Sequence, residues 1–330
     1  MASEWEGGDL VLNTRPSFAS VYNLFSLVAT LKRYFEICNT CFTGGLLSSK
    51  ERIQKEIEEK FAKMPLNISR FFDIDTDTYA DKGVVVYGFK DELLDEFVSE
   101  FLLPFRRGYI SDDELEAGIA EKVWVDKKEG ISTQIPAKAH LKSGEFSEIL
   151  LFYLSHCLRC PDANVAPLKW RWKENQDMPC HLTDIVLIKC DDEMNPKTDD
   201  YLYFVESKGK ANAPSQNGES VMNAAIEGAE NDSVSRAGKT VTYLITKYSK
   251  DKEYDKARKV RRFKDSVNVG YLRYSNAAIV VEKESLDHHI TKITADNLDR
   301  ARRNNISLFA VPIDNMKALY ERMYNEVVNV

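Results

Sequence analysis

HLTDIVLIKC, residues 181–190, and YLYFVESK, residues 201–208, are the two segments on which the reading of this chain turns. Both are β-branched, aromatic or leucine-rich almost throughout, the composition of strands. The ten residues between them, DDEMNPKTDD, are polar turn material, so the pair reads as neighbouring strands of a hairpin. Asp184 is embedded in a run, Leu182 to Ile188, that is apolar on both faces, where a charge almost never sits without a partner. Glu206 and Lys208 are two apart in the second strand and share a face. A buried ion pair is one reading, but such pairs seldom stabilise a fold relative to apolar residues. A common chemical role explains all three residues together.

The E-x-K tripeptide alone carries little, because Glu58-Glu59-Lys60 repeats it on an exposed amphipathic stretch. Burial on adjacent strands is what separates the two cases. Phosphodiester hydrolysis needs a hard cation to neutralise the phosphoryl oxygens and activate water, and Mg²⁺ or Mn²⁺ prefers carboxylate and water ligands. Asp184 and Glu206 supply two such ligands, and Lys208 can orient the attacking water or stabilise developing charge. A metal-dependent nuclease is therefore expected.

Working outward, Ser143 reads as the N-cap of a helix carrying Phe146, Ile149, Leu150, Tyr153 and Leu154 at helical spacing. Beyond Lys208, Val234 to Tyr248 has helical periodicity while Thr240 to Thr246 has strand composition, and both assignments stand open. Strands are expected at Ala277–Val281 and Ser307–Val311, and helices at Ile293–Asn304 and Asp314–Val327. The alternation argues for an α/β domain over residues 136–330. Ahead of it the chain reads as mainly helical: Ser17–Phe35, Ser49–Met64, Asp91–Phe101 with Pro104 beyond its end, and Ser111–Lys122. A valine-rich strand, Gly83–Phe89, interrupts them. Gly130 to Ala139 looks like a connector, which puts a domain boundary near residue 135.

With 330 residues, 43% hydrophobic and 29% charged, the chain has ample material for a core, and no apolar run approaches the ~20 residues of a membrane helix. Acidic residues among the first dozen are wrong for a secretory leader, so a cytoplasmic location is expected. The two C-x-x-C pairs, Cys38/Cys41 and Cys157/Cys160, lie more than 100 residues apart and read as core cysteines rather than a zinc site. Asp73, Asp75 and Asp77 open like a calcium loop, but Thr78 stands where glycine is required. Ala237-Gly238-Lys239-Thr240 resembles the end of a P-loop, yet Ser233 replaces the leading glycine, so no ATP is expected on this chain. The net charge of −7 is unhelpful for binding a polyanion, and suggests that a partner delivers the substrate. Positive charge is concentrated between Lys252 and Lys264, where Arg258, Lys259, Arg261 and Arg262 are candidates for phosphate contact or, equally, a solvated helix face.

The order helix, strand with Asp184, strand with Glu206-Ser207-Lys208 resembles the PD-(D/E)xK nuclease superfamily, with Leu-Thr-Asp in place of Pro-Asp. The resemblance implies a restriction-endonuclease-like core, a mixed sheet flanked by helices. It also implies a further metal-binding glutamate from the opening helix, in a form like G-x-x-x-E. Gly144-Glu145-Phe146-Ser147-Glu148 fits and points to Glu148, with Glu145 as the substitute. The alternative for either glutamate is first-turn charge at a helix N-terminus. More narrowly, GEFSEILLFYL, KWRWKEN, HLTDIVLI and VESK resemble the HamA family of the bacterial Hachiman anti-phage system. That resemblance implies a DNA nuclease in a heterodimer with a superfamily 2 helicase of the HamB kind, held inactive until DNA is sensed, with the N-terminal region as regulatory, partner-docking domain. A stand-alone restriction or repair nuclease and a non-cleaving nuclease-like scaffold are the alternatives. A glutamine-bearing helix after the E-x-K, found in many superfamily members, is not evident.

Overall fold

The computed structural model describes residues 68–330 except 179–182, 213–217 and 265–268. Six strands form one sheet: β1 (Phe72–Asp75), β2 (Val84–Phe89), β3 (Ile185–Lys189), β4 (Tyr201–Lys210), β5 (Leu272–Glu282) and β6 (Ile306–Ile313). Their spatial order is β1-β2-β6-β5-β4-β3. The outer pairs β1/β2 and β3/β4 are antiparallel, while β2, β6, β5 and β4 run parallel. The expected hairpin is present, with Ile185 opposite Val205 and Lys189 opposite Tyr201.

The central strands are apolar on both faces because both faces are covered. On one side, Val205, Ala278, Val280, Phe309 and Val311 pack under helices α1 (Leu94–Tyr109), α4 (Ala139–Leu158) and α10 (Met316–Glu326). On the other, Ala277, Ile279, Leu308 and Ala310 meet α5 (Val221–Asn231), α8 (Leu286–Thr291) and α9 (Ala295–Arg303). Val186, Ile188, Leu202 and Phe204 meet α6 (Ala237–Lys250) and α7 (Tyr254–Arg261). The short helices α2 (Asp112–Ala120) and α3 (Lys127–Ser132) complete the described chain. Among these residues no helix is long and apolar enough to cross a membrane.

Three sequence expectations need correction. The first is the boundary near residue 135. Val84, Val85 and Val86 of β2 pair with Leu308, Phe309 and Ala310 of β6, so residues on both sides of position 135 share one sheet and one core. The described residues form one compact unit, and the expected connector begins inside α3. Second, α1 runs through Pro104 to Tyr109 instead of stopping at Phe101. Phe97, Phe101, Phe105 and Tyr109 recur every four residues on its buried face. Four aromatic burials at roughly 1.5–3 kcal/mol each outweigh the ~3 kcal/mol cost of an internal proline.

Third, α4 begins at Ala139, and Ser143 lies inside it. The backbone N–H groups of Ala137 and Lys138 donate to Asp177 Oδ1 at 2.9 and 3.4 Å, so the acceptor at this end comes from 40 residues away. Trp170 and Trp172 lie in a short 3-10 turn, Lys169–Trp172. The open segment at 234–248 resolves as helix α6, because Val241, Leu244 and Tyr248 fall on the face that covers β3 and β4. The helices expected over Ser17–Phe35 and Ser49–Met64 lie outside the described residues, as do Cys38, Cys41 and Cys180. Cys160 and Cys190 are buried free thiols, and burial pushes them up to about 12 and about 11.

Candidate active site

Along β4, Leu202 and Phe204 face α6 and α7, and the same alternation carries Glu206 and Lys208 to that side of the sheet. The antiparallel register that sets Ile185 opposite Val205 puts Asp184, one residue before β3, opposite Glu206. Asp184 Oδ2 accepts a hydrogen bond from the Ser207 backbone N–H at 2.9 Å, which ties the carboxylate to β4. Lys208 Nζ forms an ion pair with Glu206 Oε1.

Two glycines let helices close on this end of the strand. A Cβ at Gly209 would lie 2.3 Å from Ser147 Oγ, so α4 crosses β4 at a distance only glycine allows. That crossing brings Glu148, the neighbour of Ser147, to the site. On the other face, a Cβ at Gly228 of α5 would lie 2.5 Å from the Glu206 carboxylate. Glu148 Oε2 accepts from Trp170 Nε1 at 3.1 Å and pairs with Lys169 Nζ at 3.1 Å. The same amine reaches Asp184 Oδ1 at 3.5 Å, so Lys169 bridges the two carboxylates.

Glu145, the alternative to Glu148, is turned to Lys173 Nζ at 2.5 Å. Because α4 starts at Ala139, neither glutamate lies in a first turn, and the helix-terminus explanation for them lapses. The structure adds three residues that sequence reasoning passed over: Lys169, Asp232 and Arg236. Lys169 stood in the KWRWKEN segment without a role. Asp232 had a legible signal, since it continues the buried stripe Met222, Ala225, Ile226 and Ala229, where helical spacing calls for an apolar residue.

Burial first, and then crowding of like charge, sets the electrostatics. Burial pushes the Glu148 carboxyl up to about 7; Lys169 pulls against it, and the Asp184 and Glu145 charges add to it. Burial, then the Glu206 and Asp184 charges, push Asp232 up to about 7, with Arg236 opposing. Burial and then Asp184 hold Glu206 above the usual carboxylate range, against the pull of Lys208. Burial alone would lower the Lys208 amine, but Glu206, Asp184 and Glu148 together hold it above its ordinary value.

The donor set is all oxygen, which suits a hard divalent cation rather than zinc or copper. Glu206 Oε2 and Asp232 Oδ2 are buried without a hydrogen-bond partner, so acceptor capacity is left open there. The fit is chemical rather than preassembled. Among the described residues no three carboxylate, histidine or cysteine groups stand close enough to grip one ion, and Lys169 and Lys208 sit among the acids instead. Beside Asp184 a small, shallow cleft of about 20 Å³ opens between β3 and α6, with Lys169, Thr183, Thr240 and Tyr243 in its walls.

The basic run divides. Arg258 and Arg261 are exposed on α7, with Arg258 paired to Glu193 and Asp255, and Lys259 paired to Asp255. Arg262 is different. It is buried against Asp200, Nε to Oδ2 at 3.1 Å, and also donates to the carbonyls of Lys197 and Gly270. Arg262 therefore ties the loop before β4 to α7 and is withdrawn as a phosphate contact.

No curated protein matches the sequence. The HamA family model matches residues 68–327, nearly the whole described region and every residue of the site above. The chain belongs to the HamA family, and so to proteins associated with Hachiman defence.

Proposed function

We propose that this chain is the metal-dependent DNA nuclease of a Hachiman helicase–nuclease pair. The observation that carries the reading is the meeting of Asp184 and Glu206 across adjacent strands, with Lys208 on Glu206 and Glu148 joined to Asp184 through Lys169. Asp184, Glu206 and Glu148 would hold Mg²⁺ or Mn²⁺. When bound, such a cation neutralises charge on the scissile phosphate and lowers the pKa of water. Asp184 is held on β4 by the Ser207 N–H, so its carboxylate stays aimed at the end of the sheet. Lys208, a third exposed and adjacent to Glu206, is placed to hold the attacking water or the charge that grows on the phosphate.

Restraint is the second half of the proposal. In this arrangement Lys169 and Lys208 neutralise the acids that a cation would need, which describes a resting site. The net charge of −7 weakens unaided DNA binding. A superfamily 2 helicase, docked through the N-terminal region and neighbouring surfaces, blocks DNA access and supplies ATP-driven release. The test is cleavage of supercoiled plasmid with Mg²⁺ by the chain alone and with its helicase partner, with and without ATP. Glu206→Ala and Lys208→Ala are expected to abolish cleavage and leave the fold and complex intact. Retained cleavage by clean Glu206→Ala protein sinks the assignment. A partner that neither binds nor lowers basal cleavage leaves a stand-alone nuclease.

A further inference from the structure

The π-helical segment Asp232–Arg236 joins α5 to α6. A π-turn inserts a residue into a helix and is kept mostly where function needs a side chain re-aimed. Its first residue, Asp232, lies one helical turn beyond Gly228, the glycine pressed on the Glu206 carboxylate, so both share the face that meets β4. The Asp232 side chain is 2% exposed, and the charges it feels most strongly are those of Glu206 and Asp184. Its Oδ1 takes a long contact from Arg236 Nη1, 3.4 Å, the Thr183 side chain also favours the charged carboxylate, and Oδ2 has no hydrogen-bond partner. Arg236 is 44% exposed, so the pair is too long and too wet to repay burying the acid. Packing does not call for an aspartate here either, since an apolar residue would continue the stripe of α5 without that cost.

We propose that Asp232 is a further ligand for the divalent cation, its Oδ2 and the Glu206 Oε2 being the two buried oxygens left open for it. The inference rests on the reading of this site as metal-dependent. Because the three carboxylates do not stand within reach of one ion in this arrangement, Asp184, Glu206 and Asp232, from β3, β4 and the turn between α5 and α6, would have to close on the cation as it binds. Because α6 follows directly and carries Thr240 and Tyr243 into the cleft beside Asp184, cation binding at Asp232 also fixes that wall of the cleft.

The experiment uses the full chain and Mn²⁺ alone, with free Mn²⁺ followed by electron paramagnetic resonance and the Mn²⁺-dependent rise in Tm by calorimetry. Asp232→Asn is expected to weaken Mn²⁺ binding tenfold or more and shrink the rise in Tm. Glu206→Gln should remove both, and Asp299→Asn, on the exposed side of α9, should change neither. A purely structural aspartate would instead alter Tm without Mn²⁺ and leave the Mn²⁺-dependent rise unchanged. Arg236→Gln is the companion variant if Asp232→Asn folds poorly. Removing a competing cation should preserve or tighten Mn²⁺ binding, and a loss of binding in it would overturn the proposal. Wild-type affinity in folded Asp232→Asn would also overturn it while leaving the metal site standing. No Mn²⁺ response in the wild type that Glu206→Gln removes would overturn both.

Discussion

Gly228→Ala is expected to cripple DNA cleavage while leaving the fold nearly as stable as before. The added Cβ would lie 2.5 Å from Cγ, Cδ and Oε1 of Glu206. Carbon atoms in contact stand about 3.5 Å apart, so the carboxylate must retreat by roughly 1 Å. Its backbone cannot follow, because β4 is held in register between β3 and β5 with Glu206 beside Ala277. The side chain therefore leaves its rotamer, at about 0.5–1.5 kcal/mol. Against this, alanine in a helix interior stabilises by about 0.8–1 kcal/mol relative to glycine. The two nearly cancel, so Tm should move by no more than about 2–4 °C. Catalysis has no such compensation, since a displacement of about 1 Å in a positioned group costs on the order of 10²-fold. Initial rates of plasmid nicking and thermal melts on the same preparation measure both quantities. A cleavage rate within about threefold of wild type, at unchanged Tm, would refute the claim that the Glu206 position is what Gly228 protects.

Two further outcomes separate structural from functional charge. Arg262→Ala strips buried Asp200 of its partner and should cost about 3–5 kcal/mol in urea unfolding, whereas Arg258→Ala with Arg261→Ala should stay within about 0.5 kcal/mol and weaken DNA retention at low salt. Arg262→Ala melting like wild type would return that residue to the phosphate candidates. Glu148→Gln tests the crowded acids. Folding raises this carboxyl from 4.5 to about 7, so the native state binds its proton more tightly. Stability from this group is present below about pH 4.5 and is lost as pH rises towards 7. The glutamine variant should match wild type near pH 4 and exceed it at pH 8 without metal, by at most about 3 kcal/mol. A gain that is equal at both values would mean that the carboxyl titrates normally.

Asp184, Glu206 and Lys208 were readable because their signal is local. A strand's period is two, so sharing a face follows from spacing, and a charge inside an apolar run announces itself wherever the strand sits. The hairpin was readable for the same reason, with a polar turn between two runs of strand composition. Asp232 obeyed the same rule at helical spacing, and could have been found by asking why an acid continues the stripe of α5. Elsewhere the outcome depended on partners far along the chain. β2 is a strand by composition, but its place beside β6 is a parallel pairing across more than 200 residues that no local pattern encodes. α1 runs through Pro104 because distant residues bury its aromatic stripe, and α4 starts directly after Ala137 and Lys138, whose backbone N–H groups donate to Asp177. Arg262 and Arg258 look alike in a basic run, and only the position of Asp200 makes one structural and the other exposed. Periodicity reveals which face of an element is apolar; what covers that face, and which charge meets which, is decided by long-range packing.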